Sequence, residues 1–311
     1  MNEVVLFFIF ISSSLILYKS SEWTLRYSLI LSRKIGISTV VFGLIIVAIS
    51  TSLPELMVAV SSIISRNVGL SVGNLLGANF INLTLVLGIS VLPYGIIYLK
   101  KKEEKDIIEL LFLSTLVTLI IFQGQKLSVI HGIILLVLFG LLISKLYRGG
   151  RIKKDFYDTI DESVKKIILL FIISLSLLLL SSHLLVFSAL NIADIFALTA
   201  TFIGMTITSV GTTLPELSIQ LRAIKNKEYG LAIGDLLGSC VVNLTLILGF
   251  LSILSPVSIE ATSLLHLIPF LFIAIFVVWY AIANKKKFTR FEGIILMILY
   301  LLFILESFSI I

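Results

Sequence analysis

Apolar residues run along this chain in long blocks, interrupted at intervals by short polar or basic segments. Ten blocks lie near 4–18, 38–65, 70–98, 107–122, 127–144, 167–190, 197–221, 230–254, 262–283 and 291–308. Most come close to the roughly 20 residues that a bilayer-spanning helix uses. The first is short if it stops at Lys19, but Trp23, Leu25, Tyr27 and the 28–31 stretch predict a tilted helix running on towards Arg33. Glu3 stands where a signal peptide would carry a basic residue, and no small-residue cleavage site precedes Lys19, so this segment is expected to be retained. The pattern predicts an all-α polytopic membrane protein with ten transmembrane helices.

Composition agrees with that prediction. Of 311 residues, 58% are hydrophobic and 14% charged, against about 25% charged in ordinary soluble domains. A soluble globule is excluded, and little chain is left for an aqueous domain. The net charge of +6 changes meaning once the cations are placed. Counting Lys and Arg between successive blocks puts 22 of the 24 in the 1–2, 3–4, 5–6, 7–8 and 9–10 loops, leaving only Arg66 and Lys126 in the alternate ones. Basic loops mark the cytoplasmic side and contact anionic lipid, so both termini are expected outside the cell and nucleic acid is not an expected partner. The single cysteine, Cys240, allows no internal disulfide.

The chain also repeats itself. Residues 43–88 align without a gap to residues 204–249 at a constant offset of 161, with 20 of 46 positions identical. The matches include Thr51 with Thr212, Pro54 with Pro215, Glu55 with Glu216, Gly77 with Gly238 and Asn82 with Asn243. Five blocks separate equivalent elements, an odd number, so the two copies should cross the membrane in opposite directions. The expected organisation is a first inverted repeat of five helices over 1–148, a cytoplasmic linker over 149–166 and a second inverted repeat over 167–311. Inverted repeats of this kind place a substrate near the membrane midplane, between interrupted helices. The polar stretch 145–166, with Gly149 and Gly150, reads as the connection between the halves.

Three acidic residues fall within the block cores: Glu55, Glu216 and Asp235. Each would cost about 2.5–3.5 kcal/mol at a helix centre if left uncompensated. No Lys or Arg lies close by in the same cores, so a bound cation is the natural counter-charge. Pro54 and Pro215 orphan the carbonyls of Ser50 and Gly211, predicting a kinked or unwound helix at each. Thr51 and Ser52 precede Glu55 by four and three positions, as Thr212 and Thr213 precede Glu216, and so share its helical face. Asn74, Ala78 and Asn82 form a second stripe, matched by Asp235, Ser239 and Asn243. The donor set is all oxygen, which suits hard ions such as Ca²⁺. His131, His183 and His266 lack ligand spacing, and Cys240 reads as a small packing residue. Gly73 with Gly77, and Gly234 with Gly238, are expected to let helices approach closely.

ISTSLPE at 49–55 and VGTTLPE at 210–216, each followed by G[ND]LLG[AS] and then by an Asn, Asn82 or Asn243, at one fixed distance from the Glu, resemble the two alpha repeats of the cation/Ca²⁺ exchanger superfamily. The pattern is most similar to its prokaryotic sodium/calcium exchangers. The resemblance implies that Glu55 and Glu216 bind Ca²⁺, and that Thr51, Ser52, Thr212, Thr213, Ser239, Asn82 and Asn243 complete the ion sites with main-chain oxygens of Ala48 and Ser209. Asn74 and Asp235 join the candidate set. Against the family pattern, Ser50 replaces a Gly, Ala78 a Ser and Asp235 an Asn. Asp235 either alters ion preference or faces a water-filled vestibule. Asn243 disfavours potassium co-transport, and the large regulatory loop of animal relatives is not expected.

The implied function is secondary antiport of Ca²⁺ against Na⁺ by alternating access in a prokaryotic plasma membrane. The protein is not expected to be an enzyme, to hold a resident cofactor or to need an obligate protein partner. Proton/Ca²⁺ antiport on the same fold stays open as an alternative, and a cation channel is the reading from another class.

Overall fold

A computed structural model of the chain describes residues 3–64, 68–98, 108–109, 111–113, 115–116, 126–149, 163–195, 209–258, 262–285 and 287–309. Helix α1 covers Glu3–Ile35, so the first apolar block does run past Lys19 to the basic turn at Arg33 and Lys34. A broken pair follows: α2, Thr39–Thr51, and α3, Leu53–Ile64. Next come α4 over 68–91, α5 over Val129–Gly149 and α6 over Val164–Ile195, which starts inside the expected linker. In the second half the described elements are α7 (Ser209–Thr212), α8 (Leu214–Lys225), α9 (Tyr229–Leu254), α10 (Thr262–Tyr280) and α11 (Arg290–Ser309).

Among the described residues, five helices are long and apolar enough to cross a membrane, and the bent α2–α3 pair makes a sixth. The expected count of ten is therefore not reached on these residues. The block at 107–122 falls largely outside them, as does the first half of the block at 197–221. Most of the linker expected at 149–166 and the basic run at 100–105 also lie outside the described residues.

Burial sorts the spans into two shells. The windows Ser71–Val91 and Tyr229–Leu254 are 78% and 83% buried, whereas Val129–Leu146 is 22% buried and Val5–Ile35 28%. The inner pair, α4 and α9, carries the repeated polar stripes. The outer helices expose Phe7, Phe8, Ile11, Leu15, Ile130 and Leu305, apolar faces that suit hydrocarbon.

The repeat offset extends far beyond the motifs. Helix α1 starts at Glu3 and α6 at Val164, α8 covers the positions equivalent to α3, and α5 starts at Val129 where α11 starts at Arg290, all in the register that relates Glu55 to Glu216. Two short antiparallel ribbons follow the same rule. Strand β1 (Ile96–Tyr98) pairs with β4 (Lys287–Thr289), and β2 (Lys126–Leu127) pairs with β3 (Val257–Ser258). The same shift carries Ile96 of β1 to Val257 of β3, and Lys126 of β2 to Lys287 of β4, so one ribbon is the repeat-related copy of the other. Strands this short in otherwise helical loops carry little sequence signal, and none was predicted.

Candidate ion-binding site

Proline shapes both site helices. Pro54 and Pro215 are the second residues of α3 and α8, where a missing amide hydrogen costs nothing. The residues just before these helices leave helical geometry, Ser52 at φ −79°, ψ 9° and Thr213 at φ −90°, ψ 2°. The outcome is a kink, 41° between α2 and α3, with the flanking ladder kept: the Ser52 amide still donates to Ala48 O at 3.0 Å and the Leu56 amide to Ser52 O at 3.1 Å. The carbonyl orphaned by Pro215, that of Gly211, accepts from Ser182 Oγ of α6 at 3.2 Å. An apolar medium demands such a replacement partner.

Glu55 and Glu216 follow these prolines directly. Both are wholly buried, and none of their four carboxylate oxygens has a hydrogen-bond partner among the described residues. The two carboxylates lie within electrostatic reach of each other, and each faces the other copy's threonine: Glu55 faces Thr212, and Glu216 faces Thr51. Asp235 adds a third negative group near Glu216. It does not face a vestibule, because it is fully buried and its Oδ1 accepts from Thr51 Oγ1 at 3.1 Å.

The other candidates surround this centre. Thr51 Oγ1 also lies 3.3 Å from Ser239 Oγ and 3.3 Å from Ala48 O. In the second copy, Thr212 donates to Ser209 O at 3.2 Å and Thr213 to Val210 O at 3.0 Å. Ser52, Asn74 and Asn82 are buried with every side-chain polar atom unpartnered among the described residues, and Asn243 keeps an unpartnered Oδ1. A Cβ on Gly238 would come within 2.8 Å of Ala48 Cβ, and one on Gly77 within 3.4 Å of Ser209 Oγ. The main-chain candidates thus pack crosswise, Ala48 on α9 and Ser209 on α4.

Close glycine packing is seen in the second copy. A Cβ on Gly234 would meet Val40 O at 2.2 Å, while Gly73 has nothing within 4 Å among the described residues. The position equivalent to Val40 is residue 201, so the approach expected at Gly73 lies outside the described residues.

Both asparagines of the repeat sit in π-helical turns, Asn82–Val86 in α4 and Val242–Ile247 in α9. Thr84 and Thr245, equivalent in the repeat, each donate a hydroxyl to the carbonyl four positions earlier, Phe80 and Val241. A side chain that takes this carbonyl competes with the backbone amide, which then reaches one residue further back. The repeated NLTL at 82–85 and 243–246 thus places this competing hydroxyl within the bulge in both copies.

Asn79 was missed by the sequence comparison because it aligns with Cys240 and so breaks the repeat. It is buried, donates through Nδ2 to Cys240 O at 2.9 Å and accepts at Oδ1 from Asn243 Nδ2 at 2.9 Å. Two repeat-equivalent positions thus touch each other directly.

Chemically the centre offers two to three carboxylates, hydroxyls and amide oxygens. Among the described residues no three His, Cys, Asp or Glu side chains converge to ligate one metal. His131 is used locally, its Nδ1 3.2 Å from Ser128 Oγ at the start of α5. Nitrogen- or sulfur-preferring metals are poorly served here; a hard cation that accepts mixed oxygen ligands is well served.

The family model described as sodium/calcium exchanger protein matches residues 5–147 and again 166–308. The chain belongs to the sodium/calcium exchanger family. The two matched stretches are related by the same shift as the motifs, so each half of the chain is one copy of the family unit. Among relatives, an uncharacterized membrane protein of Methanocaldococcus jannaschii is 30% identical, covering 94% of this chain and 95% of its own length. The sodium/calcium exchanger MaX1 of Methanosarcina acetivorans is 24% identical over 98% of this chain and 99% of its own. A solved structure of the sodium-calcium exchanger NCX_Mj, soaked with 10 mM Na⁺ and no Ca²⁺, superposes with a TM-score of 0.84 at 27% identity, covering 97% of this chain and 98% of that one. This exchanger-family chain is thus a helical membrane-type protein with prokaryotic relatives along nearly its whole length, among them a sodium/calcium exchanger.

Proposed function

We propose that this chain exchanges Ca²⁺ for Na⁺ across a prokaryotic plasma membrane by alternating access. The observation that carries the reading is the facing pair Glu55 and Glu216, wholly buried and without hydrogen-bond partners among the described residues. One Ca²⁺ neutralises the pair, so the loaded site can pass through the low-dielectric interior. The empty site is a bare double charge whose desolvation holds the transporter still. Several Na⁺ ions provide the same neutralisation, with Thr51, Ser52, Thr212, Thr213, Ser239, Asn74, Asn82, Asn243 and the carbonyls of Ala48 and Ser209 as oxygen donors. That requirement for a ligand before reorientation makes an exchanger and not a leak.

In this proposal ten helices form two inverted five-helix halves, 1–148 and 167–311, with the linker in the cytoplasm and both termini outside. The repeat-related ribbons and the mutual contact of Asn79 and Cys240 support that arrangement. Proton coupling is the second reading, favoured by Asp235, a buried carboxylate with Oδ2 unpartnered among the described residues. The test is ⁴⁵Ca²⁺ uptake into proteoliposomes under an imposed Na⁺ gradient, a pH gradient, or neither. Uptake driven by Na⁺ alone is expected. Uptake driven by pH alone selects the second reading, and uptake with neither gradient refutes both in favour of a channel. Glu55→Gln and Glu216→Gln should each lower gradient-driven uptake by about a hundredfold or more, as when one partner of a buried charge pair is removed. Intact uptake in either variant removes that glutamate from the site.

A further inference from the structure

We propose that Asn79 is a positioning residue that presets Asn243 as an oxygen ligand on one side of the ion site. The bonding chain leaves one orientation for each amide. The carbonyl of Cys240 can only accept, so the arm of Asn79 that meets it at 2.9 Å is the NH₂ arm. The other arm of Asn79 is then oxygen, and the arm of Asn243 that meets it at 2.9 Å must be NH₂. What remains of Asn243 is Oδ1, buried, unpartnered among the described residues and directed away from Asn79. A cation needs that oxygen and is repelled by the amine arm, so the clamp removes the wrong rotamer before an ion arrives.

The other copy has no such clamp. The position equivalent to Asn79 is Cys240, whose Sγ lies 4.0 Å from Asn79 O and offers no amide fork. Asn82, the partner that Cys240 would have to orient, has the Cys240 thiol as a neighbour, but both its amide atoms lack a hydrogen-bond partner among the described residues. The ion site thus has one preset amide and one that must turn to meet its ligand. The inference rests on Asn243 being a cation ligand, as proposed above.

Ca²⁺/Ca²⁺ self-exchange tests it, because ⁴⁵Ca²⁺ uptake into Ca²⁺-loaded proteoliposomes needs no coupling ion. Asn79→Cys should raise the apparent KM for Ca²⁺ roughly three- to tenfold, the size of one lost orienting hydrogen bond, with the maximal rate within about twofold of the parent. The double variant Asn79→Cys with Cys240→Asn moves the clamp to the other copy. Its new amide can donate to the main-chain carbonyl of residue 79 and accept from Asn82, so KM should return to within about twofold of the parent. A normal KM in Asn79→Cys, where Asn243→Ala raises KM, overturns the clamp and leaves Asn243 as a ligand. A fall in maximal rate that the double variant does not rescue marks Asn79 as packing only and also overturns the clamp. Unchanged KM in Asn243→Ala overturns the ligand assignment on which it rests.

Discussion

The two copies of the repeat hold the same glutamate in the same helical register, yet their surroundings differ. Thr51 of the first copy is bonded across to Asp235 and lies against Ser239 of the second. Thr212, its equivalent, donates to Ser209 O within its own segment, and the stripe that should meet it offers Asn74, unpartnered among the described residues, and Ala78, which has no hydroxyl. Ser182 of α6 reaches the orphaned carbonyl of Gly211, whereas its equivalent Ser21 turns back to Tyr18 O at 2.9 Å in its own helix. Where α2 meets α9 the polar groups are largely satisfied by protein. Where the second-copy segment meets α4, more of them lack a partner among the described residues. The proposed alternating access forbids both interfaces being open at once, and an asymmetry of this kind is what one conformation of such a cycle would show.

The largest effect should come from glycine. A methyl at Gly234 points at the backbone of Val40, 2.2 Å from its carbonyl oxygen, and neither chain can yield without moving a helix. Gly234→Ala is expected to destabilise by about 1–3 kcal/mol or more, as overpacking does. Gly73→Ala tests whether the equivalent approach, by residue 201 outside the described residues, is as close: a loss of similar size means that it is. Thermal unfolding of the purified protein in detergent reads both. Equal losses of Tm would mean that the two interfaces are packed alike.

The glycines also show what was legible beforehand. Blocks of apolar residues located the helices, and the constant offset located both glutamates, both kinks and both polar stripes, because these depend on local spacing. Side-chain partners depend on which helix crosses which. Nothing in the sequence says that Thr51 would bond Asp235, that Gly234 would press on the backbone of Val40, or that Asn79 would bond Asn243. The comparison of copies rewarded identity, so it passed over Asn79 opposite Cys240, where the difference carries the information. The π-helical turns were readable in principle, since Thr84 and Thr245 recur in the motif, but a hydroxyl at that position is ordinary in a straight helix too.

A smaller effect should separate the two threonines. Thr51→Val removes the donor from Oδ1 of Asp235, a buried carboxylate oxygen whose neighbour Oδ2 is already unpartnered among the described residues. Leaving a buried acceptor unmade costs about 1–3 kcal/mol. Thr212→Val loses a bond to a carbonyl of its own segment, worth about 0.5–1 kcal/mol, while both variants lose a hydroxyl that faces a glutamate. The difference should appear in the ion-free protein as a lower Tm for Thr51→Val. Added Ca²⁺ should narrow it if the ion takes over the task of holding Asp235. Thr212→Val being the more damaging variant without ions would reverse the assignment of closed and open halves.

The smallest contrast lies outside the site, at the serines of α1 and α6. Ser182→Ala leaves the carbonyl of Gly211 without its hydroxyl partner, and Pro215, four positions on, has no amide to replace it. In a membrane interior such interhelical bonds average about 0.6 kcal/mol, so a fall in Tm of that order is expected. Ser21→Ala removes a hydroxyl that only duplicates bonding within α1, and its expected change is near zero. Both serines are buried, at 3% and 2% exposure, so the contrast measures the bond and not solvation. If the exchanger alternates, trapping the opposite conformation by cross-linking should exchange the two results, with Ser21 reaching the carbonyl of Ser50 and Ser182 turning back into α6. A contrast that stays the same in both trapped states would make the Ser182 contact a fixed brace of the second copy.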